Sequence, residues 1–138
     1  MKKIILMVSM LTAFTYVSPA QNKDYKVVFD LTSKDSLNQQ SLLREMSLIK
    51  EGNPDAKIEA VIYGQALGLV NKDVSSQSAD IQRLLSMKDV SIKVCALAMK
   101  RQKVDAAQLL PGVQIVPDGI YEIISKQRDG WGYIKVAH

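Results

Sequence analysis

Five short runs rich in β-branched and aromatic residues alternate along the chain with segments that have helical spacing. The runs are residues 25–31, 57–63, 91–94, 113–116 and 131–136. Each run has the length and composition of a β-strand. Strands that alternate with helices pair in parallel, because each helix carries the chain back along the sheet before the next strand begins. The alternation therefore predicts an α/β fold, with a doubly wound, mainly parallel five-stranded sheet and helices on both faces. Strand order does not follow from the alternation, and a flavodoxin-like order is the working expectation.

Two of the intervening segments place apolar residues at helical spacing. The segment after the first run has them at i, i+4 and i+7: Leu42, Met46 and Ile49. The segment before the last run has three isoleucines: Ile120, Ile123 and Ile124. Asp118 precedes this second helix as its expected N-cap. We expect both apolar faces to pack against the sheet.

Length and charge limit the class of protein. A chain of 138 residues, 47% hydrophobic and 23% charged, suits a single domain with its own core. No repeat or linker appears between residues 24 and 136, which we treat as one domain. Its 18 basic and 14 acidic residues give a net charge of +4, and without Lys2 and Lys3 the balance is 16 against 14, or +2. That charge is too small for a nucleic-acid footprint, so no nucleic-acid partner is expected.

Residues 1–20 have the pattern of a secretory signal peptide. Lys2 and Lys3 form a basic start, residues 4–17 are apolar apart from Ser and Thr, and Ser18 and Ala20 are small residues at the positions that a signal peptidase reads. The alternative is an uncleaved anchor, but the apolar stretch is shorter than the roughly 20 residues that span a bilayer. No cysteine follows it for lipoprotein attachment. The pattern predicts export to the periplasm, cleavage near Gln21, and no membrane association after cleavage.

Residue counts set aside several kinds of site. The single histidine is His138, the last residue, so Ser-His-Asp or Cys-His catalysis has no firmly held base. A zinc site of His and Cys lacks ligands, and no metal is expected. The carboxylates are scattered, with separate explanations as strand-end, exposed or capping residues. No phosphate-binding motif of the Walker type is present, and no cofactor is expected.

Cys95 is the single cysteine and directly follows the third predicted strand. Ligands bind at the carboxyl ends of strands in open parallel sheets. An exported protein with one cysteine has no internal disulfide partner, and a helix start after Cys95 would favour a reactive thiolate. We therefore take Cys95 as the candidate for chemistry and expect its thiol to be accessible. The alternative is that Cys95 is a small buried hydrophobic side chain.

The second predicted strand ends in the segment GQALG, which includes Gly64 and Gln65. Glycine after a strand lets the backbone approach a ligand, and the following amides can hold an anion. The alternative is that Gly64 only permits a turn. The turn is favoured, because the full dinucleotide-binding fingerprint is absent.

The order of these blocks resembles the DsrE/DsrF-like family of small sulfur-relay proteins. The blocks are YKVVFDL, IEAVIYGQALGLV, KVCALAMKRQ, LLPGVQIVPDGIYEI and GYIKV. The resemblance implies a doubly wound sheet, homo-oligomeric assembly, and a crevice lined by the Gly64 loop and by the turn of Pro117, Asp118 and Gly119. It also implies that Cys95 carries sulfur as a persulfide between donor and acceptor proteins.

Two functional hypotheses follow. The first is an exported, sulfurtransferase-like persulfide carrier that uses Cys95. The second is a non-catalytic module that binds a small ligand or serves oligomeric assembly with the same fold. The family's well-studied sulfur relays are cytoplasmic, whereas this sequence predicts export.

Overall fold

The computed structural model describes residues 24–137, so the predicted signal peptide lies outside the described residues. Five strands and four α-helices alternate within this range. The strands are β1 (Lys26–Leu31), β2 (Lys57–Ile62), β3 (Val90–Cys95), β4 (Gln114–Val116) and β5 (Gly132–Lys135). The helices are α1 (Ser36–Gly52), α2 (Ser78–Leu85), α3 (Ala96–Gln102) and α4 (Gly119–Arg128). Each predicted strand is present, with bounds within one residue of those expected.

The strands form one sheet in the order β4-β3-β2-β1-β5, and every pairing is parallel. The predicted α/β class is confirmed. The flavodoxin-like order is wrong, because that order places β1 between β2 and β3, whereas here β2 lies between them and β5 joins the free edge of β1. A crossover can step to either side of its strand, and the alternating pattern does not encode the direction of the step.

The direction of these steps decides which helices share a face. From β1 to β4 every step goes the same way, so right-handed crossovers place α1, α2 and α3 on one face, here called the α1 face. The crossover from β4 to β5 returns over the whole sheet and places α4 on the opposite face, here called the α4 face. One face is therefore covered by several elements and the other by a single helix.

The α1 face holds the main core. Strand residues such as Phe29, Ile58 and Ile92 are fully buried there, and they pack with Leu42 and Met46 of α1. The predicted inner face of α1 is confirmed. The helix begins where expected, because the Asp35 carboxylate accepts a hydrogen bond of 2.7 Å from the backbone N–H of Leu37.

The α4 face holds a much smaller apolar cluster, in which Ile123 packs with Val28 and Val61. Ile120 and Ile124 are 55% and 41% exposed, so the predicted inner face of α4 is correct only for Ile123. The sheet beneath α4 carries charged side chains. The helix therefore turns its Glu122 and Lys126 toward the sheet and leaves the other two isoleucines outside.

Candidate functional site

Cys95 is the last residue of β3 and the residue that precedes α3. It pairs in parallel with Val116 of the neighbouring strand β4. The chain leaves β3 toward the α1 face and leaves β4 toward the α4 face, so the connections diverge between these two strands. Such a switch point is where ligands bind in open α/β sheets.

The thiol of Cys95 is free but only 5% of the residue is exposed. Gly119, the first residue of α4, lies directly against it. A Cβ atom added to Gly119 would stand 3.1 Å from the Cβ of Cys95 and 3.1 Å from Cγ1 of Val61. The expectation of an accessible thiol is therefore wrong for this conformation, because Cys95 packs with the main apolar core and the start of α4 also lies against it.

The turn of Pro117, Asp118 and Gly119 divides its roles between capping and close packing. The Asp118 carboxylate accepts hydrogen bonds from the backbone N–H groups of Ile120, at 2.9 Å, and Tyr121, at 3.4 Å. Asp118 is thus the N-cap, as predicted, and its carboxylate is used in starting the helix. Pro117 is exposed and Gly119 is buried, so Gly119 is the member of the turn that meets the cysteine.

Gly64 and Gln65 build a turn against the end of β1. Gly64 has a φ of +60°, and an added Cβ would stand 3.1 Å from Cβ of Thr32. The Gln65 backbone N–H donates to the carbonyl of Thr32 at 2.9 Å, and the Gln102 side chain donates to the carbonyl of Gly64. These contacts explain the glycine as a turn residue, which was the favoured alternative.

Tyr63, directly before that turn, connects the predicted site residues. Ile62 pairs with Val94 in the sheet, so the next residues, Tyr63 and Cys95, stand side by side at the strand ends, where Cys95 also packs with the main core. A Cβ on Gly119 would also lie 3.6 Å from the Cβ of Tyr63. The structure thus brings Tyr63, Cys95 and Gly119 together.

A polar cluster around Asp30, at the carboxyl ends of β1 and β5, was missed by the sequence analysis. The buried Asp30 carboxylate accepts hydrogen bonds from the Tyr133 hydroxyl at 2.7 Å, the Tyr63 hydroxyl at 3.1 Å and the Lys135 ammonium at 2.9 Å. Lys135 also donates to the Thr32 hydroxyl at 2.9 Å. The alternation of side chains along each strand was the signal that could have indicated this cluster. Asp30 and Lys135 lie side by side on one face because the register of β1 and β5 pairs them.

The two tyrosines of this cluster have raised pKa values. Burial, followed by the charge of Asp30 and its hydrogen bond, raises the pKa of Tyr63 to about 12. The hydrogen bond to Asp30, followed by burial, raises the pKa of Tyr133 to about 12. Both phenols therefore remain hydrogen-bond donors to Asp30 at physiological pH.

An ion-pair network lies beneath α4, near the cysteine. Glu59 of β2, whose side chain is 2% exposed, meets Lys93 of β3 at 3.0 Å and Lys126 of α4 at 3.1 Å. Lys93 also meets Glu122 of α4 at 2.6 Å, and Lys126 meets Glu122 at 3.9 Å. Two carboxylates and two ammonium groups thus join the helix to the sheet.

The titration shifts follow from these contacts. Burial by itself lowers the pKa of Lys93, but the hydrogen bonds to Glu122 and Glu59 outweigh burial and raise that pKa above its ordinary value. Burial by itself raises the pKa of Glu122, and the hydrogen bond from Lys93, with further contributions from Glu59 and Lys126, reverses this and lowers the pKa. The network therefore holds Lys93 and Glu122 in their charged forms.

The thiol of this site lies near neutral tyrosine hydroxyls and near charged side chains that are paired with one another. Within residues 24–137, no three His, Cys, Asp or Glu side chains are grouped so that they could hold a metal ion. Over the same range, no helix has the length and apolar character needed to cross a membrane. The free thiol of Cys95 lies at the switch point between β3 and β4.

Comparison with known families gives a match over nearly all of the described chain. The model of the DsrE/DsrF-like family matches residues 26–136. That range runs from the start of β1 to just beyond β5 and contains every residue of the site described above. A search of curated protein sequences finds no matching relative.

Solved structures share the fold. The protein of unknown function MTH1491 from Methanobacterium thermoautotrophicum is 28% identical, with a TM-score of 0.77 over 81% of this chain and 99% of its own. The ychN protein from E. coli is 13% identical, with a TM-score of 0.69 over 81% of this chain and 98% of its own. The conserved protein of unknown function BT1422 from Bacteroides thetaiotaomicron is 14% identical, with a TM-score of 0.59 over 80% of this chain and 94% of its own. The last two likenesses concern the fold alone.

Proposed function

The chain belongs to the DsrE/DsrF-like family, and we propose that it is an exported sulfur-handling protein that carries sulfane sulfur as a persulfide on Cys95. Membership indicates sulfur relay at the level of the family. The observation that supports a role for Cys95 is its position, because the single cysteine ends a strand at the switch point between β3 and β4.

The proposed chemistry needs a thiolate and an approach path. The Cys95 thiol loses its proton to solvent, and the thiolate attacks a sulfane sulfur of a polysulfide. One S–S bond of the donor breaks as the new S–S bond forms, and the shortened polysulfide leaves with the electron pair. An acceptor thiolate then attacks the outer sulfur of the persulfide and releases the Cys95 thiolate. Thiol–disulfide exchange of this kind proceeds without a histidine base, so the lack of a nearby histidine is compatible with the proposal.

A mass measurement tests the proposal. After incubation of the native protein with polysulfide, we expect a gain of one sulfur atom, about 32 mass units, which a reductant removes. The matched control is Cys95→Ser, which replaces the sulfur with oxygen at the same place and should show no gain. A protein that alkylates at Cys95 but never gains sulfur from a sulfane donor would contradict the carrier function.

The second candidate function is a non-catalytic module with the same fold, which binds a small ligand or serves oligomeric assembly. The burial of Cys95 favours it, since an inert buried thiol behaves as a small hydrophobic side chain. This alternative predicts that native Cys95 resists both alkylation and sulfur loading, and that labelling requires global unfolding.

Export and assembly belong to the same proposal. Export is supported by the signal-peptide pattern of residues 1–20, and homo-oligomer formation and transfer between donor and acceptor proteins by the family resemblance. Amino-terminal sequencing of protein from the cell envelope should give a start near Gln21, and sedimentation should give a mass above that of one chain. A mature protein that retains Met1 would contradict cleavage.

A further inference from the structure

The segment that lies against Cys95 at the start of α4 has little apolar surface of its own holding it to the sheet, whereas the remaining surroundings of Cys95 include the main core. Residues 117–121, all of them described, contain one buried residue, Gly119, and it has no side chain. Pro117 is exposed, and Ile120 and Tyr121 point largely to solvent. Apolar burial stabilises a contact roughly in proportion to its area, so the side chains of this segment contribute little hydrophobic stabilisation to its contact with Cys95.

The contact that fastens this segment is ionic. Glu122 follows it directly and accepts a hydrogen bond of 2.6 Å from the ammonium of Lys93. Lys93 lies two residues before Cys95 on the same face of β3. This ion pair therefore ties the start of α4 to the strand that carries the thiol.

The remainder of α4 has separate attachments. Ile123 is buried against Val28 and Val61. Lys126 pairs with Glu59 at 3.1 Å and its ammonium lies 4.5 Å from the centre of the Trp131 ring. These contacts hold the middle and the end of the helix to the sheet independently of the contacts made by its first turn.

We propose that residues 117–121 form a cover over Cys95, that the Lys93–Glu122 ion pair latches this cover closed, and that the thiol reacts only when the latch opens. Segments that expose functional groups are drawn from the least stable parts of a fold, and the cover has the small apolar contact of such a segment. The proposal rests on the proposed function in one respect, which is that sulfur donors are the reagents that Cys95 meets when the cover opens. The cover itself is tested with a reagent that involves no sulfur transfer.

The test is the rate at which iodoacetamide alkylates Cys95 in the folded protein, followed by intact mass. Glu122→Gln keeps the shape of the side chain and removes the charge that pairs with Lys93. We expect labelling about tenfold faster, which corresponds to a latch weakened by about 1.4 kcal/mol. The matched control is Asp55→Asn, which breaks an exposed pair of 3.2 Å with Lys88 and should leave the labelling rate unchanged.

Low concentrations of urea distinguish opening of the cover from unfolding of the whole protein. Opening the cover exposes little surface, so labelling of the unsubstituted protein should depend only weakly on urea, whereas global unfolding depends on it steeply. This measurement decides the proposal even if Glu122→Gln does not fold.

Two results would overturn the proposal. One is a folded Glu122→Gln protein that labels at the unsubstituted rate. The other is labelling whose urea dependence equals that of global unfolding. If labelling accelerates in Glu122→Gln as expected but polysulfide adds no sulfur to that variant, the cover stands and the sulfur-carrier function falls.

Discussion

The two faces of the sheet are stabilised by different kinds of contact. On the α1 face, fully buried residues of α1, α2 and the strands form the main core. On the α4 face, one helix buries its Ile123 against two apolar strand residues and joins a network of two carboxylates and two ammonium groups. The Asp30 cluster lies beside it. The α1 face therefore supplies most of the stability, and the α4 face supplies the segment that lies against Cys95.

The ionic contacts of the α4 face hold α4 to the sheet less firmly than apolar contacts would. Removing charges from water costs about as much as their attraction returns, so buried ion pairs contribute little net stability compared with apolar contacts of similar size. The network is also incompletely satisfied, because Oε1 of the buried Glu59 has no hydrogen-bond partner among the described residues. These groups fix where α4 lies without packing it as firmly as α1.

The largest expected effect is on the apolar face. Leu42→Ala removes a fully buried side chain and should lower the free energy of unfolding by about 2 to 5 kcal/mol, as for other truncations in packed cores. Leu48→Ala, at an exposed position of the same helix, is the control and should change stability by less than about 0.5 kcal/mol. Urea denaturation followed by circular dichroism measures both. A Leu42→Ala protein as stable as the control would contradict the assignment of the core to this face.

Charge removal on the α4 face should have a smaller effect. Glu59→Gln keeps the side-chain volume but leaves Lys93 and Lys126 without their buried carboxylate, and we expect a loss of about 1 to 3 kcal/mol. Asp55→Asn, in an exposed ion pair, should cost less than about 1 kcal/mol. If urea denaturation gave equal losses for the two variants, burial of the network would not matter and the comparison between faces would fail.

The smallest expected effect is on how the free energy of unfolding changes at alkaline pH. Tyr63 and Tyr133 have folded pKa values of about 12, above the ordinary 10.0. Their contribution to stability is therefore fully present below pH 10.0 and is lost as pH rises toward about 12. Asp30→Asn should lower both pKa values toward the ordinary one, because it removes the charged acceptor.

Phenolate absorbance, recorded against pH in the folded protein, measures this shift. Tyr133→Phe is the control, because it should remove one of the two late titrations and keep the other. An Asp30→Asn protein in which Tyr133 still titrates as late as before would mean that Asp30 does not organise this part of the α4 face, because the hydrogen bond to Asp30 is the main cause of that shift.

Local chemistry allowed much of the fold to be predicted from the sequence. Strand runs, the inner face of α1, the N-cap at Asp118 and the place of Cys95 at a strand end all depend on residues close together in the chain. The same is true of the turn at Gly64. Propensity, periodicity and capping act over a few residues, so these features could be predicted without knowing the partners of each strand.

The tertiary structure alone decided the strand order, the burial of Cys95 and the cluster around Asp30. Each depends on which way a crossover steps and on how strands far apart in sequence align. Asp30 meets Lys135 only because β5 returns to the free edge of β1, and Gly119 reaches Cys95 only because α4 crosses back over the sheet. The sequence by itself determined the strands and helices, and it determined that Cys95 is the single thiol and ends a strand. The direction of the crossover from β4 to β5 determined which helix lies against that thiol. That direction depends on how strands far apart in the chain pair, and no local pattern encodes it.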